Sequence, residues 1–79
     1  MVSETRRAAI RRFYKQARFA VDKTQMEVEA LARLNAGQFW KIENGFTFPD
    51  DEERPRLAKV LKVNEADLPS SEHAVAQAS

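Results

Sequence analysis

The sequence predicts an all-helical domain, on three observations. Breakers are scarce, two glycines and three prolines in 79 residues, while Ala, Leu, Arg, Lys, Gln and Glu, which lose little freedom in a helix, dominate. Apolar residues recur at intervals of three and four, the period of one helix face. Ser, Thr or Asn heads three of these runs, where a side-chain oxygen can accept from the free N–H groups of a first turn. Almost nothing is left to build a sheet.

A first helix starts after Ser3 and runs to about Ala20, because Ile10, Phe13, Ala17 and Val21 fall on one side of it. Val21 to Lys23 reads as a turn. Thr24 with Glu27 three residues on has the pattern of a capping box, so a second helix follows, with Val28, Leu31 and Ala32 as its buried side. Asn35 with Gln38 repeats that pattern only a few residues after the second helix ends, which makes a tight corner and starts a third helix with Phe39 and Ile42 inward. Asn44-Gly45 stops it, since glycine takes the left-handed conformation of a helix terminus without penalty. After the connector Phe46 to Pro49, Asp50 or Asp51 caps a fourth helix from about Arg54, which buries Leu57, Val60 and Leu61 and tolerates Pro55 in its first turn. Asn64 with Asp67 signals a short fifth helix reaching Leu68 before Pro69. The domain therefore spans residues 1–69, and 70–79, small and polar, are expected to be a disordered tail.

Composition excludes several functions. Without cysteine there is neither a disulfide nor a thiolate zinc site, and the single histidine, His73, falls in the tail. A chain this short has little room for an enclosed catalytic cavity, and no nucleophile or acid–base pair stands out, so an enzyme is not expected and neither is a cofactor. No apolar run is long enough to span a bilayer, and six Lys/Arg interrupt the first 20 residues. A soluble, cytoplasmic protein is the expectation. The net charge of +1 conceals a gradient: residues 1–23 carry seven basic groups against Glu4 and Asp22, a local +5, whereas 24–49 carry −1 and 50–79 carry −3. A basic first helix is suited to a polyanion.

The stretch TQMEVEALARLNAGQFWKIENG, Thr24 to Gly45, resembles the helix-turn-helix of the phage repressor and Cro family, also called the xenobiotic-response-element family. Thr24-Gln25, Val28, Leu34, the capping Asn35 and the closing Ile42-Glu43-Asn44-Gly45 fall in register without a gap. The match continues through Pro49, Leu57, Ala58 and Leu61 to Leu68, roughly two-thirds of the chain. The resemblance implies a five-helix lambda-repressor-like DNA-binding domain whose third helix enters the major groove of double-stranded operator DNA. Carried over by position, Ala36, Gly37, Gln38, Trp40 and Lys41 become the base-contacting set, and Thr24, Gln25 and Asn44 contact phosphates. Arg11 and Lys15 of the basic first helix supply further phosphate contacts. Arg18 and Glu43 form the structural salt bridge that orients the third helix.

The chain also departs from that pattern. Glu29 stands where the family has a small residue, which asks for a shift in helix packing, and Arg33 holds a corner usually occupied by glycine, which asks for a right-handed or strained backbone. Asp50 to Glu53 replace a loop that is often basic, so this segment should turn away from phosphates, or the first helix should supply the missing contacts. The expected function is transcriptional regulation from a phage or bacterium by a weak homodimer, formed in part on DNA, since two half-sites about 34 Å apart multiply a limited contact set. The alternative is an antitoxin or antirepressor-type interaction module that holds a protein partner at the acidic segment.

Overall fold

The computed structural model describes residues 3–70, so the expected disorder of the tail beyond Ser70 lies outside the described residues. Four α-helices follow one another: α1 (Glu4–Ala20), α2 (Gln25–Ala32), α3 (Gln38–Glu43) and α4 (Glu53–Leu61). No strand occurs among the described residues. The expected fifth helix is a single 3-10 turn, Glu65–Asp67. Three residues between Asn64 and Leu68 are too few to close an α-helical ladder, so i to i+3 bonds take their place.

Each start has a chemical reason. The Ser3 hydroxyl accepts from the Arg6 amide at 3.1 Å. At α2 the capping box is complete, with Thr24 Oγ1 accepting from Glu27 N–H at 3.1 Å and Glu27 Oε1 accepting from Thr24 N–H at 2.8 Å. That backbone bond holds the Glu27 carboxyl below its usual pKa. Asp50 does the same for α4, its Oδ1 accepting from the Glu52 and Glu53 amides, while Glu53 Oε1 returns the bond to Asp50 N–H. α4 consequently starts one residue earlier than expected. Two acids of the acidic run are thus used in capping, and Asp51 and Glu52 are left exposed.

Two expectations about helix faces are corrected. Leu31, expected inside α2, is 56 % exposed, and Val60 on α4 is only partly buried. α2 is a short helix that packs chiefly on α4, and Val28 and Ala32 already fill that contact, leaving Leu31 beyond its edge. The core holds Ile10, Tyr14, Val28, Ala32, Phe39, Ile42, Leu57, Ala58, Leu61 and Leu68, with Phe13, Ala17 and Val21 packed against it. At about 1.5–3 kcal/mol for each fully buried large apolar side chain, this set is the main attraction between helices.

Tyr14, absent from the expected core, is at its centre. Its ring meets Phe13 and Phe39 edge to face, at centroid distances of 5.2 and 5.7 Å. The hydroxyl has no hydrogen-bond partner among the described residues. Burial pushes its pKa above the ordinary phenol value, against the weaker opposing pull of Arg54.

Helices end in left-handed residues: Arg33 (φ 59°) after α2, Lys62 (φ 57°) after α4, and Asp22 (φ 56°) in the turn after α1. The corner at Arg33 is therefore left-handed in spite of the side chain, the strained rather than the right-handed of the two expected outcomes. Gly45, at φ 79°, has a second constraint, because a Cβ there would lie 2.8 Å from Arg7 Cγ and 3.0 Å from Arg7 Cα. Gly37 has the same φ but open space around it.

These two glycines should respond differently to one methyl group. Gly45→Ala is expected to lose about 2–3 kcal/mol through positive φ and collision with α1, and Gly37→Ala about 1 kcal/mol through φ alone; urea unfolding of both variants measures the difference, and equal losses would contradict the close approach. Tyr14→Phe should raise stability by up to about 1 kcal/mol, because it deletes an unsatisfied buried hydroxyl. With the folded pKa raised, the wild type also loses stability as pH rises past about 10, where the unfolded phenol ionises first, whereas the Tyr14→Phe variant does not. Melting curves of the two proteins from pH 8 to about 11 should diverge in that direction.

Candidate functional site

The inner flank of α3 is fixed by three buried residues, Phe39, Ile42 and Glu43. Glu43 is fully buried, and a carboxylate there requires partners on both oxygens. Arg18 supplies two: Nε donates to Oε1 at 3.0 Å and Nη2 to Oε2 at 3.3 Å. Gln25 Nε2 donates to Oε2 at 3.0 Å, and Arg18 Nη1 turns back to the Lys23 carbonyl at 3.2 Å. The Arg18 guanidinium also lies 4.9 Å from the centre of the Phe19 ring. One node joins the end of α1, the start of α2 and the end of α3.

The corner between α2 and α3 is held by bonds within the turn and by others from across it. Leu34 N–H reaches back to the Glu29 carbonyl at 2.9 Å, which closes the turn around left-handed Arg33. The Glu29 carboxylate then accepts from Phe39 N–H at 2.9 Å. An acid on α2 thereby caps the free amide end of α3. Asn35 does not cap through its side chain; its own N–H donates to Gln38 Oε1 at 2.9 Å, while left-handed Gly37 delays the helix to Gln38. The third helix is accordingly shorter than expected. Gln38 Nε2 reaches Glu53 Oε2 at 2.6 Å, and Arg56 Nε donates to the Ala32 carbonyl at 2.8 Å, so α4 is tied to both sides of the corner.

Of the five residues to which the resemblance assigns base contact, four lie outward. Ala36, Gly37, Trp40 and Lys41 are exposed, whereas the Gln38 carboxamide is engaged at both ends by internal partners. Trp40 is 50 % exposed and stacks on Phe46, at 5.7 Å between ring centres and 16° between planes. Among the residues assigned to phosphate, Thr24 is exposed, its hydroxyl already accepting within the cap. Gln25 and Asn44 each commit an amide nitrogen internally, to Glu43 and to the Trp40 carbonyl. Lys15 is exposed and Arg11 partly so, beside Arg12 and Phe19 on one face of α1. Neither Arg11 nor Lys15 has an ion-pair partner among the described residues.

Sequence reasoning missed Phe46 and Arg7. Arg7 sits 4.8 Å from the Phe46 ring centre and pairs with Glu4. An aromatic directly after the helix-stopping glycine was the available signal. Among the described residues no group of three or more His, Asp or Glu is placed to hold a metal ion, and no helix is long and apolar enough to cross a membrane. No family model, no curated protein and no solved structure matches this chain.

The node is open to a direct test. Glu43→Ala and Arg18→Ala should each cost about 3 kcal/mol, because either leaves its partner's charge buried and unpaired. The double variant should fall well short of the sum. Additive losses in denaturant titrations would mean that the two side chains act independently.

Proposed function

We propose that the chain is a sequence-specific DNA-binding transcriptional regulator of the Cro or repressor type, with α2, the corner and α3 as its helix-turn-helix and the 3-10 turn in place of a fifth helix. One observation carries the reading: α3 buries Phe39, Ile42 and Glu43 while it presents Trp40 and Lys41 on the opposite flank. A helix fixed from behind and free in front is what a major groove about 12 Å wide accepts. Lys41 donates to guanine O6 and N7, and the Ala36 methyl and Trp40 indole make apolar contact with base edges. Unpaired Arg11 and Lys15 hold phosphates, as do the Thr24 hydroxyl and the second N–H of the Gln25 and Asn44 amides, whose first is donated to Glu43 and to the Trp40 carbonyl. Two copies on one face of the duplex, about 34 Å apart, add the specificity that one short helix lacks. The acidic segment supports the alternative module less well, since Asp50 and Glu53 are bound within the α4 cap.

The sole tryptophan makes the interface self-reporting. Mixed-sequence duplex DNA should change Trp40 emission, and the affinity should fall roughly a hundredfold between about 50 and 200 mM salt if about four phosphates are neutralised. Lys41→Ala should reduce discrimination between selected and random duplex without changing the melting temperature. An emission spectrum indifferent to duplex at the lower salt would reject the reading.

A further inference from the structure

The outer flank of α3 is chemically narrow. Gly37 has no side chain, Ala36 offers a methyl group, and the Gln38 carboxamide is turned inward to Asn35 and Glu53. What remains is one ammonium, Lys41, and one large apolar surface, Trp40. That surface is not free to swing. Its indole lies nearly parallel to the Phe46 ring, and the Arg7 guanidinium sits against the same phenyl group. Arg7 is itself held where Gly45 meets α1.

We propose that Trp40, braced by Phe46 and Arg7, recognises the C5-methyl group of a pyrimidine in the major groove, a specificity that rests on the docking of α3 proposed above. The edges of base pairs in that groove present hydrogen-bonding atoms and one apolar feature, the methyl group at pyrimidine C5. An indole is a poor reader of the first and a good partner for the second. Because stacking on Phe46 already restricts the side chain, little rotamer freedom is lost on binding, so more of the apolar contact appears as affinity. Thymine and 5-methylcytosine both carry this group, and the test distinguishes them.

Four labelled duplexes of about 20 base pairs, two helical turns, serve as probes: alternating A–T, the same with uracil for thymine, alternating G–C, and the same with 5-methylcytosine. Fluorescence anisotropy should show the wild type binding the methylated member of at least one pair roughly threefold to tenfold more tightly, the effect of burying a methyl group. A preference in the first pair alone identifies thymine as the target, and in the second alone 5-methylcytosine. Trp40→Ala should erase the preference while duplex binding persists through the basic groups, and Phe46→Leu should shrink it with the indole still present. Equal affinities within both pairs, or a preference that survives Trp40→Ala, overturn the assignment. Failure to bind any of the four duplexes instead overturns the docking of α3, and this assignment with it.

Discussion

A buried carboxylate sets the geometry of this protein. Glu43 has no access to water, and Arg18 and Gln25 meet its two oxygens from two other helices. Such a node is a stringent constraint: each donor must come from the right distance and direction, and a loosened helix would leave a bare charge in an apolar interior. Apolar packing by Phe39 and Ile42 turns one side of α3 to the core, and the charged node at Glu43 on the same side adds a directional constraint, so that Trp40 and Lys41 face outward.

Backbone strain is concentrated where helices end. Asp22 and Arg33 occupy left-handed conformations at the two ends of α2, and Lys62 ends α4 in the same way. Each costs a non-glycine residue about 1 kcal/mol. At Arg33 the turn is closed by the bond from Leu34 N–H to the Glu29 carbonyl, and Glu29 uses its side chain to cap α3. Glu29 and Arg33, two of the positions at which the sequence departs from the repressor pattern it resembles, thus belong to one device: the acid on α2 caps α3 beside the corner that Arg33 turns. The acidic run before α4 has a comparable role, since Asp50 and Glu53 satisfy amides of that helix and Glu53 also holds Gln38. Charge that looks like a surface property in one dimension is partly internal wiring in three.

The charge gradient is only partly consumed by that wiring. Arg18 is paired within the fold, and Arg56 bonds the carbonyls of Ala32 and Glu52. Arg11 and Lys15 remain without ion-pair partners among the described residues. These two positive charges of the first helix are therefore available to an external anion, which supports the nucleic-acid partner proposed above.

What the amino-acid sequence settles alone is local. The capping box at Thr24 and Glu27, the Ser3 cap, and the stops at Gly45 involve residues within one turn of each other, so their chemistry is visible as spacing. The four α-helices and the inward positions Phe39, Ile42, Leu57 and Leu61 follow from periodicity for the same reason, whereas the expected fifth helix is only a 3-10 turn. Tertiary structure decided whatever depends on a partner distant along the chain. Leu31 reads as core by period, yet its exposure is set by where α4 stops covering α2. Gln38 reads as a cap or a base contact, yet Glu53, 15 residues away, takes its amide. Glu29 shows no sign in one dimension that it caps a different helix, and Phe46 none that it supports an indole. Periodicity assigns a residue to a side of its own helix; only the packing of all four helices determines what, if anything, lies against that side.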